Sequence, residues 1–143
     1  MERYVIDASV ILKWVLGNER EPDHDVAMGL LHAWVEGRAE ISAPKLWQYE
    51  VGNFLGRAVP QEAVEKMDLL LKLNITGVDL SQGMCRQCFS WMKDKGVTFY
   101  DASYLAVAQE VNATLITADA AFLKKMGKDA RISLLKDLNL ISE

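Results

Sequence analysis

Cysteine and histidine are scarce in this 143-residue chain, at two each. Cys85 and Cys88 spell a single C-x-x-C, and no second pair exists to complete a zinc site. The pair falls well inside a helix-like segment and not at a strand-to-helix turn. It therefore reads as core or helix-face thiols, and a structural disulfide is not expected in a cytosolic chain. His24 and His32 sit in or beside one predicted helix, and neither has a natural serine partner, which removes a Ser-His-Asp set.

Long apolar runs are also missing. None approaches the roughly 20 residues needed to span a bilayer, so no membrane partner is expected. The opening apolar stretch is too short for a signal-peptide core, and Asp7 interrupts it. The expected location is the cytoplasm. Neither G-x-G-x-x-G nor a Walker pattern is present, so no Gly-rich loop cradles a phosphate. Nor is there an excess of positive charge: 16 Lys and Arg face 20 Asp and Glu, for a net −4. That argues against a generic nucleic-acid coater. It leaves room for an enzyme that grips RNA through a local basic rim and a bound cation. No long polar run, single-sign run, repeat or linker appears, and residues 1–143 read as one domain.

What is present is an alternation of short strands and amphipathic helices. Strands are predicted at about 3–6, 41–43, 77–79, 114–117 and 131–134. Helices are predicted at about 9–16, 24–36, 45–58, 61–73, 81–95, 101–112 and 120–126. A polar loop, GNEREPDHD, follows the first helix. Pro44 is expected to open helix 45–58, and Gly37, Gly96 and Gly127 to end theirs. Helix 101–112 is apolar almost all round after its first turn and should be deeply packed. Such alternation implies a parallel sheet covered on both faces. Right-handed crossovers restrict it to a Rossmann-like three-layer α/β/α sandwich. Ligands in such sheets bind beyond the carboxyl ends of the strands.

Acids gather at that edge. Asp7 follows the first strand in VIDAS, Asp119 follows the fourth in LITAD, and Asp101 begins the buried helix. Glu50 lies inside helix 45–58, beside an apolar stripe marked by Trp47, Val51 and Phe54. Each acid has a plain structural reading. Asp7, Asp101 and Asp119 can cap helices, and Glu50 can be a surface residue. Taken together, four acids near one edge repel each other unless something positive sits between them. Magnesium or manganese suits such an oxygen set and needs no histidine for phosphoryl chemistry. Other acidic α/β sites fit worse. A dehalogenase-type phosphatase needs an aspartate where Ser9 stands. A receiver domain needs paired acids after the first strand, and Asp79 looks like a helix cap.

These segments resemble the PIN domain family, especially its VapC-like branch. VIDASVILKW is similar to the first motif, PKLWQYEVGNFL to the second, TFYDASYLAVA to the third and LITADAAFLKK to the fourth. Each is weak alone, but the ordered set spans nearly the whole chain. The resemblance implies a five-stranded parallel sheet and a magnesium- or manganese-dependent endoribonuclease. It makes Asp7, Glu50, Asp101 and Asp119 the catalytic and metal-binding set, with Ser9 and Thr117 as supporting hydroxyls. It also implies a homodimer and a small antitoxin partner. Water would attack an RNA phosphodiester, and Lys13, Lys45 and Arg57 are candidates for phosphate contacts.

Trp14, Trp34, Trp47 and Trp91 can stack bases or anchor a partner, though at least two are expected in the core. Tyr49, Phe54 and Leu55 are candidates for a dimer or antitoxin groove. Two alternatives remain: a stand-alone RNA-processing nuclease of the same fold, and a non-catalytic binding module whose acids only cap helices.

Overall fold

The computed structural model describes residues 1–17, 21–128 and 131–140. Part of the polar loop predicted after the first helix, and the end of the tail, lie outside the described residues. In chain order the elements are β1 (Glu2–Ile6), α1 (Ala8–Val15), α2 (His24–Val35), β2 (Ala39–Pro44), α3 (Trp47–Ala58), α4 (Ala63–Lys72), β3 (Thr76–Val78), α5 (Gln82–Lys95), α6 (Phe99–Glu110), β4 (Thr114–Thr117), α7 (Ala120–Met126) and β5 (Ile132–Leu134). A 3-10 turn, Leu135–Asp137, follows.

All five strands run parallel in the order β3-β2-β1-β4-β5. The chain winds outward from β1 in one direction, then returns to place β4 on the other side of β1. The carboxyl ends of β1 and β4 therefore frame the point where the winding reverses, which is where open α/β sheets bind ligands. Successive residues Val5 and Ile6 of β1, and Leu115, Ile116 and Thr117 of β4, are all buried. Successive side chains point to opposite faces, so both faces of the central strands are covered. Helix α6 packs against β1, β2 and β4 and carries α5 with it, while α1 and α2 form a separate packed group touching β4 and β2. This is the three-layer sandwich expected from the alternation.

Helix α6 is buried along every residue from Ala102 to Ala108. Small alanines at several of these positions let it lie close to the sheet. Helix α5 is started by Ser81, whose hydroxyl accepts from the Met84 N–H. It is stopped by Gly96 at φ 69°, a left-handed conformation that costs glycine little. The expectation that Asp79 caps this helix is therefore corrected to Ser81.

Pro44 also departs from expectation, ending β2 instead of opening α3. It pairs with Val78 of β3, one step beyond the Ala43–Gly77 pair, whereas the β1 ladder has already ended at Ser42. Its missing N–H thus costs no bond to β1. Trp14 and Trp47 are buried, and the Trp14 indole stacks on Trp34 with ring centroids 6.2 Å apart. Among the described residues no helix is long and apolar enough to cross a membrane.

Candidate active site

Asp7 leaves β1 and caps α1, with Oδ1 accepting from the Val10 N–H at 3.3 Å. Two hydroxyls complete its surroundings. Ser9 Oγ donates to Asp7 Oδ1 at 2.5 Å, and Thr117 Oγ1, at the end of β4, donates to Oδ2 at 2.5 Å. Each hydroxyl also accepts a backbone N–H from the loop after β4. Ala118 donates to Ser9 at 3.1 Å and Asp119 donates to Thr117 at 3.0 Å. Because those amides occupy an acceptor position, each hydroxyl proton is turned toward Asp7. The network stitches the carboxyl ends of β1 and β4 together and fixes Asp7 as an acceptor.

Asp119 caps α7, with Oδ1 accepting from Phe122 N–H at 3.1 Å. Among the described residues, Asp101 caps no helix. The cap of α6 is Thr98, whose Oγ1 accepts from the Asp101 N–H at 3.0 Å. The expected helix start at residue 101 is thus corrected to Phe99, and the Asp101 carboxylate is left free for the site. The pattern T-x-x-D, Thr98 to Asp101, was a readable capping signal.

Asp7, Asp101 and Asp119 line one narrow pocket with Tyr104, Leu115 and Phe122, of about 10 Å3. That is room for about one water-sized particle. Glu50 opens onto an adjoining hollow of about 460 Å3 that it shares with Ser9, Lys13, Glu21, Phe54 and Asp119. Asp119 lines both spaces and joins them. A larger hollow of about 790 Å3 lies at the opposite sheet edge near Met1, Gly37 and Ala39, away from these acids.

Tyr104 connects the two spaces as well. Its hydroxyl donates to Glu50 Oε1 at 2.5 Å across 54 residues of chain. Nothing in the sequence around Tyr104 marks it as a site residue except its place one helical turn after Asp101, on the same face of α6. Burial, then its bond to Glu50, and then the nearby carboxylates push the tyrosine hydroxyl's pKa up.

Three of the acids are shifted in the same direction. Burial, reinforced by Asp101 and opposed by three hydrogen bonds that lower it, raises Asp7 from the ordinary 3.8 to about 6. Burial raises Glu50, opposed by the Tyr104 bond and reinforced by Asp101. Asp101 is raised by burial and by Asp119, with Lys125 on α7 pulling the other way. Asp101 is therefore coupled to all three other acids. Among the described residues, none of the four forms an ion pair with a lysine or arginine.

This donor set suits a hard divalent cation in chemistry: carboxylates only, mutually repelling, at a strand-end crevice. Its spacing is looser than a closed coordination shell. Among the described residues, no three acidic, histidine or cysteine side chains are gathered closely enough to grip an ion as they stand.

The three candidate phosphate contacts differ in their surroundings. Lys13 is buried, with Nζ on Glu21 Oε2 at 2.9 Å, so an RNA phosphate would have to displace that pair. Lys45 is exposed and pairs with Asp79 at 3.1 Å. Arg57 is exposed in the last turn of α3, on the same face as Glu50. Leu55 is fully buried and is corrected from a surface candidate to a core residue, whereas Tyr49 and Phe54 are exposed. Phe54 is likewise corrected from the core stripe, which runs through Trp47, Val51 and Leu55.

Comparisons with known proteins agree with this fold. The PIN domain family model matches residues 4–128. Ribonuclease VapC1 of Mycobacterium tuberculosis is 28% identical over 142 residues, covering 95% of this chain and 100% of that protein. Among solved structures, the chain is similar to PAE2754 from Pyrobaculum aerophilum, with a TM-score of 0.65 and 23% identity over 94% of this chain and 85% of that one. It is also similar to a toxin-antitoxin complex from Klebsiella pneumoniae, with a TM-score of 0.66 and 18% identity over 92% and 97% of the two chains. With the family model covering most of its length and the acids of all four motifs brought to one edge of a five-stranded parallel sheet, the chain belongs to the PIN domain family.

Proposed function

We propose that this chain is a magnesium- or manganese-dependent endoribonuclease and the toxin half of a VapBC-type pair. The observation that carries the reading is the convergence of Asp7, Asp101 and Asp119, from three segments of the chain, on one pocket where none of them forms an ion pair with a base among the described residues. The ribonuclease relative supports RNA as the substrate.

When bound, the cation supplies positive charge to phosphate oxygens and acidifies water. The chain does the rest. Ser9 and Thr117 hold Asp7 as a fixed anionic ligand. Asp101 and Asp119 complete the cation-holding set. Tyr104 holds Glu50 at the pocket's rim, where Glu50 orients water toward phosphorus. A P–O bond forms to that water, the bond to the 3′ oxygen breaks, and a proton goes to the departing oxygen. The products carry a 5′ phosphate and a 3′ hydroxyl.

A small antitoxin partner and a homodimer belong to this proposal. The toxin-antitoxin complex among similar structures supports the first. Exposed Tyr49 and Phe54 on α3 offer apolar contacts for either.

One observation favours the capping alternative: Asp7 and Asp119 do cap helices. Asp101 does not, so it separates the readings. Asp101→Asn and Asp119→Asn are expected to keep the fold and abolish cleavage of an RNA oligonucleotide, since asparagine caps about as well as aspartate and ligates hard cations poorly. Cleavage at the parent rate by both variants would remove the proposal.

A further inference from the structure

Next to the acidic pocket, at the same carboxyl edge of the sheet, lies a second hollow of about 330 Å3. Its walls include Lys45, Val78, Asp79, Phe99, Tyr100 and Ser103. They come from the ends of β2 and β3 and from the first turns of α6. Tyr100 directly precedes Asp101, so the hollow and the acids are adjacent along one helix.

The two aromatic walls differ. Phe99 is held against Phe89, with ring centroids 5.2 Å apart. Tyr100 is 59% exposed and offers an open ring. The turn that carries it is fixed by Ser103, whose hydroxyl donates to the Tyr100 carbonyl at 2.6 Å.

At the rim Lys45 Nζ sits 3.1 Å from Asp79 Oδ1, and both side chains are exposed. Gly77 sets this pair. A Cβ at residue 77 would lie 2.9 Å from Lys45 Cγ and 3.1 Å from its Cε, so the lysine stem lies across the β3 backbone only because no side chain is there. The result is an open aromatic face, an apolar floor, and one donor beside one acceptor. Single-stranded RNA is recognised by that combination: a ring for stacking and a polar pair for the base edge.

We propose that this hollow is a base-binding subsite for RNA. An unpaired nucleobase near the cleaved phosphate enters it, stacks on Tyr100, and has its edge read by Lys45 and Asp79. The inference rests on the ribonuclease reading. It reassigns Lys45 from a phosphate contact to a base contact, and it gives cleavage a base preference at a fixed offset from the cut.

The test is binding of oligo-U, oligo-C, oligo-A and oligo-G RNA, followed by fluorescence anisotropy in an Asp119→Asn background that leaves the RNA whole. Tyr100→Ala is expected to weaken the preferred oligonucleotide about tenfold, and Tyr100→Phe to keep its affinity, because stacking needs only the ring. Lys45→Met is expected to flatten the differences among the four. Should Tyr100→Ala lower the melting temperature, Lys45→Met carries the test alone. Equal binding by the background protein, Tyr100→Ala and Lys45→Met overturns the subsite and leaves the hollow to a protein segment. If the parent meanwhile cleaves RNA and Asp101→Asn does not, the ribonuclease reading stands. If the parent neither binds nor cleaves RNA, both fall.

Discussion

Thr117 and Asp7 lie 110 positions apart and share a hydrogen bond of 2.5 Å, from the threonine hydroxyl to the carboxylate Oδ2. Thr117 is completely buried, and its oxygen also takes the Asp119 N–H. One hydroxyl therefore joins two acids of the site and two strands of the sheet. Valine has nearly the same shape and neither function. Thr117→Val leaves a carboxylate lone pair and a backbone N–H without their partner, at a cost of about 1–3 kcal/mol. Urea unfolding is expected to show that loss, and RNA cleavage to fall with it. A variant as stable as the parent would mean that the network contributes nothing.

Charge at the acids makes stability depend on pH in an unusual direction. The folded-state pKa of Asp7 is raised to about 6, and those of Glu50 and Asp101 are raised too. The stability of the protonated acids is fully present below the ordinary carboxylate range and is lost as pH rises through about 6. Asp101→Asn removes one repelling charge without removing a helix cap. In chelator near pH 8, it is expected to melt at a higher temperature than the parent, and near pH 4 the advantage disappears. Circular dichroism melts at the two pH values check this. A parent that melts higher near pH 8 would contradict it.

Much of this arrangement was legible in the sequence. The fourth strand and the seventh helix were placed at their observed limits, because LIT and the run from Ala120 to Gly127 carry unambiguous apolar and stop signals. Asp7, Asp101 and Asp119 stand out as candidates because parallel α/β sheets have one functional edge, whereas Glu50, inside α3, stands out only by its place beside the apolar stripe and by the family resemblance. What escaped depends on packing between distant segments. Tyr104 reads as one more core residue of an all-round apolar helix, and its bond to Glu50, 54 residues away, appears only in the folded chain. Lys13 reads as a surface lysine until Glu21 folds back onto it. Pro44 carries the same signal at a strand end as at a helix start, and only the ladder to β3 distinguishes them.

The Lys13–Glu21 pair is asymmetric, with side chains 3% and 18% exposed. Removing the acid strands the more deeply buried charge; removing the base leaves a carboxylate nearer to water. Glu21→Gln is therefore expected to destabilise more than Lys13→Met, by about 1–2 kcal/mol. Chemical denaturation of the two variants side by side decides the order, and the reverse order would show that the ammonium reaches water easily.

Tyr104→Phe removes only a hydroxyl and leaves the ring in the core. Glu50 then loses the side-chain donor at its Oε1, at about 1–2 kcal/mol of stability. Cleavage is expected to fall through kcat with KM largely kept, because Glu50 acts on water and not on RNA binding. A variant with parental kcat would remove Tyr104 from the site.

Cation binding tests the account most directly. Calorimetric titration of manganese near pH 8, into the parent and into Asp101→Asn, asks whether the converging carboxylates behave as one chelating site. The parent is expected to bind, and the variant to bind at least about tenfold more weakly. Equal affinity in the two proteins, or no binding by the parent, would contradict it.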